Sequence, residues 1–295
     1  GAAAAEAAFL GALAEHGAPL YQEYVATRVG LERGAAEAAC RGQAEEDLEE
    51  EELDRQGLDE QLAAVACVGR LSLSHAANTL VQLLTGEHGS LPKLNRLLQD
   101  PAVQSSGVNH PDLAGALEEC YVLVLCAGHL LTDAVEGEAP APPDLVALAA
   151  GAMGPAEAGP LIALVDALYD LLAFQAQYLA QRSPEDPCLS PHLSRSLLWA
   201  AARLARGWYG QDFGGGGAAA LLAARFGTGG GGAGAADAER LLEAAWTYVA
   251  RWPTEPEVAG AAVQLLAACL DPRGGAPGAG TRAHGAVLAG AAADL

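Results

Sequence analysis

The 295-residue chain carries 37 acidic and 16 basic side chains, a formal net charge of −21, and 51% of its residues are hydrophobic. This balance argues against nucleic-acid binding, which depends on lysine and arginine side chains that neutralise phosphates. It also argues against binding to an anionic membrane surface. The negative charge favours either a well-solvated surface or a basic protein partner.

The six cysteines form no CxxC pair, which argues against a disulfide framework and favours a reducing compartment. No uncharged run approaches the roughly 18 to 20 residues of a membrane-spanning helix. The alanine-rich start of the chain contains Glu6 and lacks the basic region of a signal peptide. Because the first residue is Gly1 rather than methionine, we expect the chain to be a piece of a longer protein.

Two short helices, 2–16 and 19–33, are predicted at the N-terminus, because Pro19 interrupts the helical pattern between them. A disordered or loosely helical acidic loop is predicted over 41–57, since densely spaced carboxylates repel one another and the segment has little to bury. Eight carboxylates of this loop are the candidate residues for binding a basic partner: Glu45, Glu46, Asp47, Glu49, Glu50, Glu51, Glu52 and Asp54.

Long apolar helices are predicted in the middle of the chain. Apolar residues recur at helical spacing over 58–84, with a predicted break near Ser72, and over a short segment at 91–99. The helix that ends at Asp133 begins after Pro111 and is apolar on two faces, so it must be covered from more than one side. A proline-rich turn then separates it from a brief helix over 143–150.

The C-terminal half is also predicted to be helical. Helical spacing predicts four further helices, over 160–181, 191–208, 237–252 and 255–270. Ser190 and Asp237 are predicted to cap the second and third of these. A glycine-rich loop over 210–236 is expected to enclose one short helix, and 273–295 is expected to be a flexible tail. Since no segment shows the alternation of a β-strand, the predicted fold class is all-α.

Helices that are apolar on two faces suit an α-α superhelix of antiparallel helix pairs, a HEAT-repeat solenoid, because neighbouring pairs cover each one. The long predicted helices start about 30 to 53 residues apart, which is loosely compatible with such repeats. A globular helical bundle fits the pattern nearly as well. We favour the solenoid and predict that residues 1–295 form a single solenoid fragment.

The sequence offers little support for catalysis or for a metal site. Cys126 and His129 lie one helical turn apart, but zinc requires four convergent ligands and no second pair follows. The glycine runs lack the strand and the Gly-Lys-Ser/Thr ending of a phosphate loop. Asp166 and Asp170 share a helix face, so a magnesium-dependent all-helical enzyme is an alternative. We nevertheless predict no enzymatic activity, no cofactor and no metal.

Three segments carry a recognisable series of motifs. Residues 122–146 join a Gly-His-Leu-Leu-Thr helix end to a Gly-Glu-x-Pro loop. Residues 58–84 contain Gln-Leu-Ala-x-Val and Gly-Arg, and residues 193–209 begin with Leu-Ser-Arg-x-x-Leu-Trp. In order and in spacing, these segments resemble the central HEAT repeats of an exportin, a nuclear transport receptor of the importin-β superfamily.

The resemblance implies a scaffold that wraps a protein cargo in the nucleus together with Ran-GTP and releases it in the cytoplasm after GTP hydrolysis. It further implies shuttling between the two compartments, contact with nuclear pore proteins, and translation initiation factor 5A as one cargo. An acidic concave surface would suit a basic cargo, because complementary charge speeds encounter. A different HEAT or armadillo interaction scaffold is the alternative.

Overall fold

The structure is a computed structural model that describes most of the chain. The described residues are 2–42, 51–133, 141–143, 154–183, 185–211, 217–227 and 233–270. Within these ranges the chain is largely α-helical and forms no β-strand, although one isolated antiparallel bridge joins Asp133 to Ala141. The prediction of an all-α fold is therefore confirmed for this part of the chain.

The chain divides into two compact units. Unit 1 comprises Gly1–Leu130 and Pro187–Leu193, and unit 2 comprises Leu131–Asp186 and Ser194–Leu295. The helices of unit 1 are α1 (Ala2–Cys40), α2 (Glu51–Arg70), α3 (Leu73–Thr85), α4 (Ser90–Leu97), α5 (Pro101–Ser106) and most of α6 (Pro111–Leu131). Those of unit 2 are α7 (Pro155–Gln181), most of α8 (Pro191–Gly207), α9 (Gly217–Phe226), α10 (Ala233–Arg251) and α11 (Pro256–Leu270).

Helix α1 runs without interruption for 39 residues, so the prediction of two short helices separated at Pro19 is wrong. A proline inside a helix costs about 3 kcal/mol, because it removes one hydrogen bond and crowds the preceding turn. Tertiary packing offsets this cost: Tyr21 and Val25 are buried, and α1 packs against α2 and α3. The apolar face of α1 therefore outweighs the local signal of its proline.

Helix α2 begins at Glu51, inside the segment 41–57 that was predicted to be an acidic loop. Residues 51–57 are therefore helical, and this part of the loop prediction is corrected. Carboxylates in the first turn of a helix are stabilised by its N-terminal dipole, which favours a helix start in this acidic sequence. The rest of the acidic run, 43–50, lies outside the described residues.

The predicted break near Ser72 is confirmed, since α2 ends at Arg70 and α3 begins at Leu73. Helices α1 and α2 approach closely beside this break. A Cβ atom on Gly69 would lie 2.7 Å from ring carbons of the buried Tyr21, so only glycine fits there without a shift of the ring. Asp100 ends the α4 region and caps α5, its carboxylate accepting a hydrogen bond from the Ala102 N–H at 2.8 Å.

Helix α6 is buried on more than one side, as its two apolar faces predicted. Its buried residues include Leu113, Leu117, Leu123 and Leu130. By length and composition alone, α6 and the 158–181 portion of α7 could cross a membrane, but 83% and 56% of their apolar windows are buried inside the protein. Helices packed inside a protein core have this composition as well.

Helix α8 begins as predicted, with Ser190 Oγ accepting a hydrogen bond from the Leu193 N–H. The short helix expected in the glycine-rich loop is α9. Helix α10 begins at Ala233, so 233–236 is helical rather than loop and Asp237 is not the N-cap that was predicted. Asp237 is instead buried and ion-paired. Of the predicted helix over 143–150, residues 144–150 lie outside the described residues, and so does the tail over 273–295.

Exposed large apolar side chains are concentrated on the first and last described helices. Among the residues whose side chains the structure describes, seven such side chains are exposed, and five of them lie on α1 or α11. These five are Leu13, Leu20, Leu31, Val263 and Leu270. Leu20 and Leu31 are each 62% exposed, so α1 presents apolar surface to solvent.

Candidate functional site

The predicted binding carboxylates of the acidic run fall into two groups. Glu51, Glu52 and Asp54 lie in the first turns of α2. The other five lie outside the described residues: Glu45, Glu46, Asp47, Glu49 and Glu50. The described part of the run is thus the N-terminal end of a helix whose later residues pack against α1.

Asp166 and Asp170 lie on α7, as predicted, and each is paired with a different arginine. Arg225 Nη2 lies 2.6 Å from Asp166 Oδ1, and Arg240 Nη2 lies 2.6 Å from Asp170 Oδ1. A magnesium ion would have to displace both guanidinium groups. No group of three or more potential metal ligands occurs within the described ranges.

Asp237 is the centre of a buried polar network that the sequence did not reveal. Its carboxylate, whose side chain is 5% exposed, forms a bidentate pair with Arg225. It also accepts a hydrogen bond of 2.7 Å from the Tyr209 hydroxyl. Because Arg225 binds Asp166 as well, this guanidinium connects helices α7, α9 and α10.

The electrostatics of this network indicate a structural role. Burial, followed by the nearby Tyr169 and Asp237, raises the pKa of Tyr209, so its hydroxyl stays protonated and donates to Asp237. Burial by itself would lower the pKa of Arg225, but hydrogen bonds to Asp166 and Asp237 outweigh it and raise that pKa. Neither Tyr209 nor Arg225 can therefore act as a base near neutral pH.

A groove between α7 and α10 has a volume of about 340 Å³ and is lined mostly by small side chains. They include Ala173, Ala176 and Ala244. Of its charged lining residues, Arg240 is paired with Asp170. Thr247, a hydroxyl of the lining, donates to the Glu243 backbone carbonyl at 2.9 Å, so it is engaged within α10.

Cys126 and His129 lie one helical turn apart on α6, and the Cys126 side chain is buried. Burial raises the pKa of Cys126 to about 12, so its thiol is neutral near pH 7. His129 Nε2 lies 3.3 Å from Asp59 Oδ1, which is a polar contact within unit 1.

The C-terminal end of α6 has its backbone carbonyls bound by distant side chains. Helix ends leave their last carbonyls without partners inside the helix. Within unit 1, the buried Arg70 donates from Nε to the Leu130 carbonyl at 3.2 Å and from Nη2 to that of His129. Within unit 2, Trp208 Nε1 donates to the Leu131 carbonyl at 2.8 Å. Arg70 and the stretch 128–132 belong to the motifs that suggested the resemblance.

No known protein-family model matches this chain. The function therefore has to be inferred from the chain's own residues and from the motifs that resemble a known family. The geometry of unit 2 favours a structural role over a catalytic one for three of its carboxylates, because arginine side chains bind all of them. These are Asp166, Asp170 and Asp237. Such pairs hold helices together and are poorly suited to proton transfer.

The burial of Glu118 on α6 predicts that the stability of unit 1 depends on pH. Burial, with the Glu32 carboxylate as a second cause, raises the pKa of Glu118 from 4.5 to about 7. The folded state thus holds this proton more tightly than the unfolded chain. The resulting stability is present below the unfolded pKa and is lost as the pH rises through the folded pKa. We expect the free energy of unfolding to fall by about 3 kcal/mol as the pH rises from 4.5 to about 7, measured in urea titrations.

The variant Glu118→Gln is expected to flatten this pH dependence and to be more stable than the wild type at pH 8. The matched control is Glu87→Gln, which removes an exposed carboxylate of the same unit. An unchanged pH profile in Glu118→Gln would assign the titration to another group.

Proposed function

We propose that the chain is the central part of an exportin-4-like nuclear transport receptor. It would act as a non-enzymatic scaffold that binds a protein cargo in the nucleus with Ran-GTP and shuttles between nucleus and cytoplasm. In this proposal Ran-GTP and nuclear pore proteins are partners of the full-length receptor. A basic cargo such as translation initiation factor 5A suits the net charge of −21.

The observation that carries the proposal is the role of the motif residues in this fold. Gly69 allows α1 and α2 to approach closely, and Arg70 binds the carbonyls at the end of α6. Arg203, within the segment 193–209, donates to the Thr132 hydroxyl at 2.8 Å. Residues from all three resembling segments thus stabilise helix ends and helix crossings. Motif residues with such structural roles are expected if this chain has the same helical architecture as the exportins.

The packing of successive helices supports a HEAT-type superhelix. In unit 1, α1 packs against α2, α2 against α3, and α3 against α4. In unit 2, α10 packs against α11, and both α9 and α10 pack against α7. Contact between helices adjacent in sequence is typical of repeat architectures, in which each layer touches its neighbours. We propose that these contacts belong to antiparallel helix pairs.

A scaffold without catalysis is also supported by the state of the polar groups. The aspartates of the alternative enzyme hypothesis, Asp166 and Asp170, are both ion-paired. Cys126 is a neutral, buried thiol. These groups favour structural stability rather than chemistry, so the magnesium-dependent enzyme remains the weaker alternative.

The decisive experiment is a pull-down with the intact protein and Ran locked in its GTP form. The proposal predicts that Ran-GTP is retained and that retention of a basic cargo increases when it is present. Ran in its GDP form is the matched control. Binding of other proteins with no dependence on Ran would instead indicate a different HEAT or armadillo scaffold.

Neutralising the acidic run tests whether it contacts the cargo. All eight carboxylates from Glu45 to Asp54 are changed to the corresponding amides, which removes the charge and keeps the side-chain shape. We expect unchanged helicity by circular dichroism and cargo binding weakened about tenfold at low salt and about twofold at high salt, because salt screens exposed charges. Cargo affinity is measured by titration calorimetry.

The matched control neutralises eight exposed carboxylates elsewhere on the chain. These are Glu15, Glu23, Glu60, Glu87, Asp112, Glu185, Glu239 and Glu243. The control variant has the same net charge as the acidic-run variant. If the acidic run contacts the cargo directly, its neutralisation is expected to lower cargo affinity more than the control does. Equal losses of cargo affinity in both variants would assign the effect to net charge. Unchanged affinity of the acidic-run variant at low salt would show that the run does not contact the cargo.

A further inference from the structure

Lys93 on α4 is the only lysine among the 295 residues, and the other 15 basic side chains of the lysine and arginine total are arginine. Its side chain is 28% exposed, so part of it is open to solvent. A lysine amine accepts an acyl group under mild conditions, whereas guanidinium groups stay protonated and do not. Lysine-directed modification of this chain is therefore confined to one position.

The partner of Lys93 is a buried carboxylate. Lys93 Nζ lies 3.1 Å from Glu119 Oε1 on α6, and the Glu119 side chain is 8% exposed. Arg33 Nη1 of α1 lies 3.2 Å from the same oxygen, and Ser90 Oγ donates to Glu119 Oε2 at 3.2 Å. The carboxylate thus joins α1, α4 and α6 within unit 1. Two cations compensate its charge.

We propose that Lys93 is an acylation site and that its acylation loosens the junction of α1, α4 and α6. In the reaction, the neutral amine attacks the carbonyl carbon of an activated acyl donor such as a thioester. A nitrogen–carbon bond forms, the carbon–sulfur bond breaks, and the thiol leaves with the proton that the amine loses. The product is a neutral amide, which can no longer form an ion pair with Glu119.

The structural consequence follows from the burial of Glu119. After acylation this carboxylate keeps Arg33 and Ser90 but loses one of its two cations. Leaving a buried charge incompletely paired is much more costly than losing an exposed ion pair. Lys93 therefore differs from an exposed surface lysine, at which a lost charge has little effect on folding. This inference does not depend on the proposed transport function.

The test treats the folded wild-type chain with N-acetoxysuccinimide and follows the adduct by intact mass and peptide mapping. We expect acetylation at Lys93, in addition to the α-amino group, and a fall in the melting temperature of about 3–6 °C. Lys93→Arg keeps the charge and reacts only at the α-amino group. Treatment of Lys93→Arg is therefore expected to leave its melting temperature unchanged.

A second comparison shows whether the effect runs through Glu119. In Glu119→Gln no buried carboxylate needs the Lys93 charge, so acetylation is expected to shift the melting temperature by less than about 1 °C. The wild-type experiment stands on its own if this variant does not fold. Three results would overturn the proposal: no adduct at Lys93, an adduct with an unchanged melting temperature, or an equal fall in Glu119→Gln.

Discussion

Replacing Asp237 by alanine is expected to lower the free energy of unfolding of unit 2 by about 3–5 kcal/mol, the usual loss when one partner of a buried ion pair is removed. Arg225 would keep Asp166 but lose its bidentate partner, and the Tyr209 hydroxyl would lose its acceptor. Urea unfolding followed by circular dichroism measures the loss. Asp237→Asn should lie between the wild type and alanine, because the amide still accepts a hydrogen bond but has no charge.

Glu239→Ala is the matched control for Asp237→Ala. Glu239 is an exposed carboxylate two residues further along α10, so its removal is expected to change stability by less than about 0.5 kcal/mol. If Asp237→Ala behaved like this control, the network around Arg225 would contribute little to folding. A large loss in both variants would point instead to a general sensitivity of α10 to alanine.

Replacing Arg70 by methionine is expected to cost unit 1 about 3–4 kcal/mol. Methionine preserves much of the apolar volume but cannot donate to the carbonyls of His129 and Leu130. Each buried carbonyl that loses its partner costs about 1–3 kcal/mol. Lysine at this position should not restore stability, because an ammonium cannot reproduce the fork of a guanidinium. Denaturant unfolding of the wild type, Arg70→Met and Arg70→Lys measures these differences in the free energy of unfolding.

Arg96→Met is the matched control for Arg70→Met, since Arg96 is exposed and donates only to a carbonyl of its own helix, that of Pro92. We expect it to stay within about 0.5 kcal/mol of the wild type. Hydrogen exchange offers a second measurement. The last turn of α6 should lose protection in Arg70→Met and keep it in the control, whereas equal protection in both would contradict the capping role.

The elements that could be predicted from the sequence are those whose apolar pattern and local start or stop signals agree. Helix α6 has both, and so does α8, whose Ser190 cap is present in the structure. At α1 the signals conflict, and tertiary packing against Tyr21 and Val25 prevails over Pro19. At α2 the acidic run suggested a loop by repulsion, but the helix dipole accommodates carboxylates in the first turn.

The polar pairs could not be predicted, because their partners are far apart in sequence. Arg225 is 59 residues from Asp166, and Arg240 is 70 residues from Asp170. Periodicity identifies the face of a helix but does not identify its neighbour. Asp237 illustrates the same limit. An aspartate that follows a glycine-rich stretch suggested a helix cap. In the structure it lies one turn inside α10, where its carboxylate accepts hydrogen bonds from Arg225 and Tyr209.

The leucines exposed on α1 and the apolar residues exposed on α11 affect how the molecule behaves in concentrated solution. A net charge of −21 keeps copies apart at low ionic strength, when the repulsion reaches well beyond contact distance. At about 0.1 M salt the range of this repulsion falls to about 10 Å, so the exposed apolar side chains of two copies can come into contact. Colloidal stability should therefore decrease as salt is added, which is the opposite of salting-in.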